Sequence, residues 1–435
     1  MATVPFRPAA FAGMFGALPS LMPGAMHPLR YPLPSTLVLL AALYVAQGLP
    51  SGLMAHALPV LLRQHGVDLV QIGLLKLLAL PWLLKVLWAP WVDRLGGSPR
   101  GHRRGWILPL QALVAGLLML LAWLPQERLF GSWLPLLLGL LLLINLAAAT
   151  QDVATDGLTV RLLPERWRGL GNSLQVGGYK VGMLAGGSGL LLLADRLDWS
   201  WLMAALALLV VLLLIPALRF PEHRVLPFQP ALAEPVGWGL PWRHYRGLLA
   251  QPGFALWLGV LLTFKLGDAL GSPMIRPMLV DQGWGAGALG QLTLVSSLAG
   301  IGGALVGGWL YGRLGTLRAL LLGGLLQALG IAAMAWLVGA APSDRVYMVA
   351  LFEQFADGLS TVALFAAMMR QCRAEHEGAD FTLQASVQLL LGGVVGACSG
   401  VLAKALGYPG LFLLAGGLGL AALGLVLAAL RPRSL

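Results

Sequence analysis

Long apolar runs dominate the chain, and polar positions fall between them rather than alternating with them. The runs lie at about 36–62, 70–92, 105–124, 133–157, 170–194 and 198–218. After a polar, proline-rich stretch at 219–247, six more follow at about 249–272, 285–311, 317–340, 346–369, 381–405 and 408–430. Each reaches or exceeds the roughly 20 residues with which an α-helix crosses the hydrocarbon core. The period-2 alternation of a membrane β-strand does not occur. The pattern therefore predicts an all-α membrane protein of twelve transmembrane helices, six on either side of a linker. Residues 1–33 are rich in Pro, Ala and Gly and read as a disordered tail, with Met22 and Met26 as alternative starts. They do not read as a signal peptide, because the basic start and sustained apolar stretch are missing. The remaining divisions are a first half at 34–218, a linker at 219–247, a second half at 248–430 and a tail at 431–435.

Composition removes the competing classes. Of 435 residues, 58% are hydrophobic and 11% charged, with a mean hydropathy of +0.80. Soluble domains carry about 25% charged residues. A soluble enzyme, a disordered chain and a fibrous repeat are excluded. The net charge of +11 would suggest nucleic acid in a soluble protein, but its placement does not. With the N-terminus inside, inside segments hold 19 basic residues, outside segments six, and the spans four. Such asymmetry places both termini in the cytoplasm, and no nucleic-acid partner is expected. Cys372 and Cys398 make no metal-spaced pair, so no metal, cofactor or disulfide scaffold is expected. The spans offer no nucleophile–base pair or phosphate-binding loop, so no enzyme is expected either.

The two halves repeat each other. Gln151-Asp152-Val153-Ala154-Thr155-Asp156-Gly157 in the fourth run corresponds to Glu353-Gln354-Phe355-Ala356-Asp357-Gly358 in the tenth. Each places two acids at i,i+4 with glycine after the second. Gly178, Gly182 and Gly186 correspond to Gly392, Gly396 and Gly400. These ladders are expected to be close helix seams. Parallel six-helix repeats are the signature of the major facilitator fold, with pseudo-symmetric halves.

Charges within the runs carry the functional expectation. A charge at a span centre costs roughly 2.5–3.5 kcal/mol on insertion scales. Nine lie there: Lys76, Lys85, Lys180, Lys265, Asp152, Asp156, Asp268, Glu353 and Asp357. They must pair or face a wet cavity. Asp152, Asp156, Glu353 and Asp357 are candidates for proton coupling, since burial favours a carboxyl's neutral form; a plain ion-pair staple is the alternative. Lys265 and Asp268, at i,i+3, either neutralise each other or line the cavity. Lys76 and Lys180 have no local partner and are substrate-cavity candidates, with Gln47, Gln175 and Tyr179. Lys85 is expected to pair with an acid. Asp93, Arg94, Arg103, Arg104 and Arg313 read as structural groups of a cytoplasmic gate. Gly48–Gly52 should kink the first span around Pro50. His56 should have a satisfied polar partner. Trp88, Trp91, Trp106, Trp123, Trp133 and Trp199 should anchor span ends at the interface.

The stretch Leu80-Pro81-Trp82-Leu83-Leu84-Lys85-Val86-Leu87-Trp88-Ala89-Pro90-Trp91-Val92-Asp93-Arg94 resembles the signature of AmpG-type permeases. So do Arg103-Arg104-Gly105-Trp106, the Gly178–Met183 run, and Lys265-Leu266-Gly267-Asp268-Ala269. The stretches Gln151–Leu158 and Gly171–Tyr179 look closest to the RhtX/FptX-type siderophore branch. Gly308–Gly315 retains only part of the generic superfamily's second cytoplasmic signature, with Gly312 where an acid is usual, and Lys76 stands where an apolar residue is usual in the family. The resemblance implies a monomeric secondary transporter of the bacterial inner membrane. It implies proton-driven import of a ferric siderophore, with a muropeptide permease as the alternative and a drug or metabolite exporter as a third reading. Its partners would be that small-molecule substrate, protons and the lipid bilayer.

Overall fold

A computed structural model describes residues 31–68, 71–72, 74–95, 101–194, 196–226, 240–339 and 341–430, and every regular element among them is helical. The expected tails at 1–30 and 431–435 and the linker's middle at 227–239 lie outside the described residues. The first half comprises α1 (Leu33–Gln64), a segmented α2 (74–94), α3 (Arg104–Trp123), α4 (Leu134–Leu162), α5 (Glu165–Ala194) and α6 (Trp199–Arg219). A short linker helix, α7 (Leu240–Leu249), leads to the second half. That half comprises α8 (Phe254–Asp281), α9 (286–314), α10 (316–333), α11 (Ser343–Arg370), α12 (377–406) and α13 (408–430).

Nine helices among the described residues are long and apolar enough to cross a membrane. Two of these, of 51 and 54 residues, are far longer than one crossing needs. Each breaks at a glycine in the left-handed region, Gly315 (φ 75°) and Gly407 (φ 69°), a conformation that costs side-chain-bearing residues energy. The first break folds the chain back. Gly307 and Gly323 lie equally far on either side of Gly315, and both abut neighbouring residues of α11, Leu359 and Ser360. The α2 segment is not among the nine because its hydrogen-bond ladder is interrupted. Pro81 and Pro90 open short helices at Leu80–Leu84 and Ala89–Arg94, with a 3-10 turn at Lys85–Leu87 between them. Proline supplies no N–H, so it suits a first turn and interrupts a continuous helix.

The α1–α5 seam is built as the first glycine ladder predicts. Pro50 lies within α1, and a π-turn follows at Leu53–Ala57; α5 has a matching π-turn at Ala185–Gly189. A Cβ on Gly182 would lie 2.8 Å from the Cα of Gly48. Backbone cannot yield as a side chain can. Gly182→Leu is therefore expected to separate the two helices and sharply reduce the yield of monodisperse protein in size-exclusion chromatography. A wild-type elution profile would contradict this packing.

Three expectations require correction. Gly392 and Gly400 meet no atom within 4 Å of a built Cβ, and Gly396 meets only ordinary contacts, so the second ladder is not a close seam. Gly416 and Gly419 on α13 pack closely instead, against Ala328 and Ala332 of α10. Trp199 is 3% exposed and donates its indole N–H to Leu121 O; it is core, whereas Trp123 is 81% exposed. His56 lies exposed on the π-turn of α1 and makes no side-chain hydrogen bond among the described residues.

Each half has its own apolar core. Leu118, Leu137 and Met203 lie in the first, and Trp257, Leu320 and Met368 in the second. The halves meet where α5 lies on α9 and where α12 lies on α2 and α4. At the first contact Ser173 Oγ donates to Ala304 O at 2.6 Å.

Candidate functional site

The buried charges gather in two clusters, one per half. In the first half the short turn that interrupts α2 presents Lys85 to Asp152 of α4, and the two form an ion pair with both side chains buried. The Lys85 ammonium also lies 5.3 Å from the centre of the Trp82 ring, a favourable place for a cation. Trp82 in turn donates to Asn145 Oδ1 at 3.0 Å, and its ring meets Tyr179 edge-on. One turn along α4, Asp156 is 1% exposed. It accepts from Tyr44 Oη of α1 at 3.0 Å and from Gln175 Nε2 of α5 at 2.9 Å. Three helices thus converge on two carboxylates of α4, of which Asp152 holds the lysine.

The second cluster uses a break in α8. The helix stops at Thr263 and restarts at Leu266, leaving Lys265 at the junction. Its Nζ donates to Asp357 Oδ1 and Ser360 Oγ of α11, both at 2.8 Å. Gln327 of α10 closes this network through Ser360 Oγ at 2.6 Å. Lys265 and Asp268 therefore do not neutralise each other, because the break turns the lysine toward α11. Asp268 shares the Ser272 hydroxyl with Glu353, at 2.6 and 3.1 Å. One hydroxyl proton lies between two carboxylates. Glu353 also accepts from Gln354 Nε2 at 2.9 Å.

The other cavity candidates separate. Lys180 of α5 is half-buried in the seam between the halves, with its Nζ beside Gly300 of α9. Gln47 is buried on α1. Lys76 is exposed on the 3-10 segment Leu74–Ala79 and joins neither cluster.

At one end of the bundle a third set of charges ties the halves together. Arg103, 1% exposed, pairs with Asp93 of its own half and lies 3.4 Å from Glu377 of the other. Asp93 also accepts from Ala379 N at 2.7 Å. Glu222, beyond the end of α6, receives the backbone N–H groups of Arg103 and Arg104 at 2.8 and 2.7 Å. Helix α7 spans the same joint: Tyr245 Oη donates to Val86 O at 2.6 Å, and His244 Nε2 lies 2.9 Å from Asp380. Arg373 holds Asp380 with two side-chain bonds at 2.8 and 2.7 Å. Arg94 sits at the end of this α2 segment, whereas Arg313 is exposed and lies over the Trp309 ring at 4.4 Å.

Several members of these networks carried no signal in the sequence. Tyr44, Ser272, Ser360 and Gln327 are single polar residues in apolar runs. Glu222, Glu377 and Asp380 lie outside the apolar runs, yet each is less than 9% exposed. Proximity of Glu377 and Asp380 to Arg370 and Arg373 was the available clue.

His102, buried in the same joint, has its pKa lowered to about 4, first by burial and then by the Arg103 charge. The unfolded chain therefore binds more protons between about pH 4 and 6.5. Stability from this group is present above pH 6.5 and is lost as pH falls toward 4. His102→Gln is expected to flatten the acid limb of the melting temperature against pH, compared with wild type in the same detergent.

This arrangement can be set beside known proteins. A family model of the Major Facilitator Superfamily matches residues 40–397. The chain belongs to the major facilitator superfamily. The anhydromuropeptide permease of Escherichia coli strain K12 is 32% identical over 384 residues, covering 86% of this chain and 76% of that one. Among solved structures, a bacterial homologue of the iron transporter ferroportin aligns with a TM-score of 0.67 at 15% identity, over 91% of this chain and 98% of its own. The fucose:proton symporter of E. coli aligns with a TM-score of 0.65 at 17% identity, over 91% and 99%. The structural likenesses establish the fold. This superfamily chain is a multi-pass secondary transporter of small molecules, with relatives among AmpG-like permeases.

Proposed function

We propose that the chain imports anhydromuropeptides across the bacterial inner membrane, coupled to protons. Twelve spans in two six-helix halves rock about a midplane site, with both termini in the cytoplasm. One chain carries both halves, so a monomer suffices. The observation that carries the substrate is the 32% identity to an anhydromuropeptide permease across most of both chains. It favours the muropeptide over the ferric siderophore. The iron transporter homologue is 15% identical, a likeness of fold that says nothing of cargo.

Coupling is supported by the two clusters, which together hold five carboxylates against the lysines Lys85 and Lys265. The excess of acid leaves room for protons to bind and leave. Asp152, Asp156, Glu353 and Asp357 are the proposed carriers. The orientation is supported by 19 basic residues on one set of segments against six on the other.

Inverted vesicles and spheroplasts that express the chain test both parts. Labelled anhydromuropeptide is expected to accumulate in spheroplasts and to leak out when a protonophore is added. Accumulation of ferric siderophore without muropeptide would overturn the substrate.

A further inference from the structure

We propose that Lys180 is a carboxylate-binding subsite in the seam between the halves, the point at which an acidic substrate touches both. The reading above enters only in supplying the source of the carboxylate, since peptide stems carry free ones.

The placement of the lysines carries the argument. Lys85 is bound to Asp152, and Lys265 to Asp357 and Ser360. Lys180 is half-buried, yet among the described residues it makes no hydrogen bond or salt bridge. Asp357 lies within Coulombic reach of Lys180 but is bonded to Lys265, and a cation at membrane depth with no direct partner is costly and faces a cavity or its ligand. The acids around it are already engaged: Asp357 by Lys265, and Glu353 by Ser272 and Gln354.

The surroundings are cleared for it. A Cβ on Gly300 would stand 2.7 Å from Lys180 Nζ and 3.3 Å from Gln354 O. Glycine at 300 therefore makes room for the ammonium where α5 of one half meets α9 and α11 of the other. One turn earlier on α9, Ser296 is 6% exposed and its hydroxyl has no partner among the described residues. The i,i+4 spacing puts Ser296 on the face of Gly300. On α1, Gln47 is 2% exposed with Nε2 unpartnered among the described residues, next to Gly48, which abuts Tyr179 O. An ammonium and unmatched donors around a seam suit an acceptor-only group such as a carboxylate. A carboxylate bound there adds a negative charge near Asp357 and Glu353, so it enters together with protons on those acids. Substrate and proton are thereby linked through one charge balance.

The test is tryptophan-fluorescence titration of the full chain in nanodiscs with three probes: an anhydromuropeptide with free carboxylates, its fully amidated form, and inorganic phosphate. Wild type is expected to bind the acid form about tenfold or more tightly than the amide, the scale of one charge-assisted hydrogen bond. Lys180→Met should erase the preference by weakening the acid form alone, and Lys180→Arg should retain it. Gly300→Ala, which keeps the lysine but crowds it, should narrow the preference. Equal binding of acid and amide by wild type, or a preference that survives Lys180→Met, overturns the subsite, as does phosphate binding more tightly than the acid form. Should the acid form bind preferentially through Lys180 while spheroplasts fail to accumulate it, the import reading falls and the subsite stands.

Discussion

Arg103→Ala is expected to destabilise the protein by about 3–5 kcal/mol, the cost of stranding a buried charge. The guanidinium is 1% exposed and serves Asp93 and Glu377 at once. Its removal leaves two carboxylates facing each other in the joint, while Glu222 keeps its two backbone bonds. Taking away the arginine also removes a buried ion pair that crosses from one half to the other. Two measurements check this. The melting temperature of the purified chain should fall steeply, and a cysteine placed at Ala379 should become more reactive to a membrane-impermeant maleimide from the side on which that joint opens. Arg313→Ala is the control, because an exposed cation over one indole ring contributes little, typically within about 0.5 kcal/mol for a surface site. A wild-type melting curve for Arg103→Ala would show that the joint does not depend on this arginine.

The sequence revealed more of the fold than of the site, and the reason is physical. Lipid demands long apolar runs, so each crossing leaves a mark that composition cannot hide. The expectation of a 6+6 repeat rested on acid and glycine spacings that recur along the chain. What escaped was direction. Lys265 and Asp268 are three residues apart, and in an unbroken helix they would share a face; the interruption before Leu266 sends the lysine to α11 instead. The same limit applies to the second glycine ladder. Spacing places Gly392, Gly396 and Gly400 along one stripe, but only a neighbouring backbone turns a stripe into a seam, and α12 presents Gly392 and Gly400 to open space. The Lys85 expectation succeeded because a buried lysine on a span has few acceptable surroundings, and an acid is foremost among them. Asp93 pairs with Arg103, nine positions beyond its neighbour Arg94 and past the end of α2.

Separating structure from coupling in the first-half cluster requires variants of Lys85, Asp152 and Asp156 taken together. Asp152→Asn strands Lys85 at 5% exposure and should cost about 3–5 kcal/mol by the same reasoning as Arg103. Lost transport in that variant therefore says nothing about protons. Lys85→Met with Asp152→Asn removes both charges, and most of the stability should return. If Asp152 carries the proton, this double variant folds, binds substrate and equilibrates it, yet fails to accumulate it against a gradient. Asp156→Asn makes the complementary case. Asp156 is held by Tyr44 and Gln175 with no salt bridge of its own, and an amide can still accept the tyrosine hydroxyl. Its fold should survive with a small loss of melting temperature. Accumulation driven by an imposed pH gradient should disappear, while exchange of labelled for unlabelled substrate across the membrane continues, since exchange needs no net proton movement. Gradient-driven accumulation at wild-type level in Asp156→Asn and in the double variant, at equal amounts of protein in the membrane, would leave this cluster as an ion-pair staple and move the coupling role to Glu353 and Asp357.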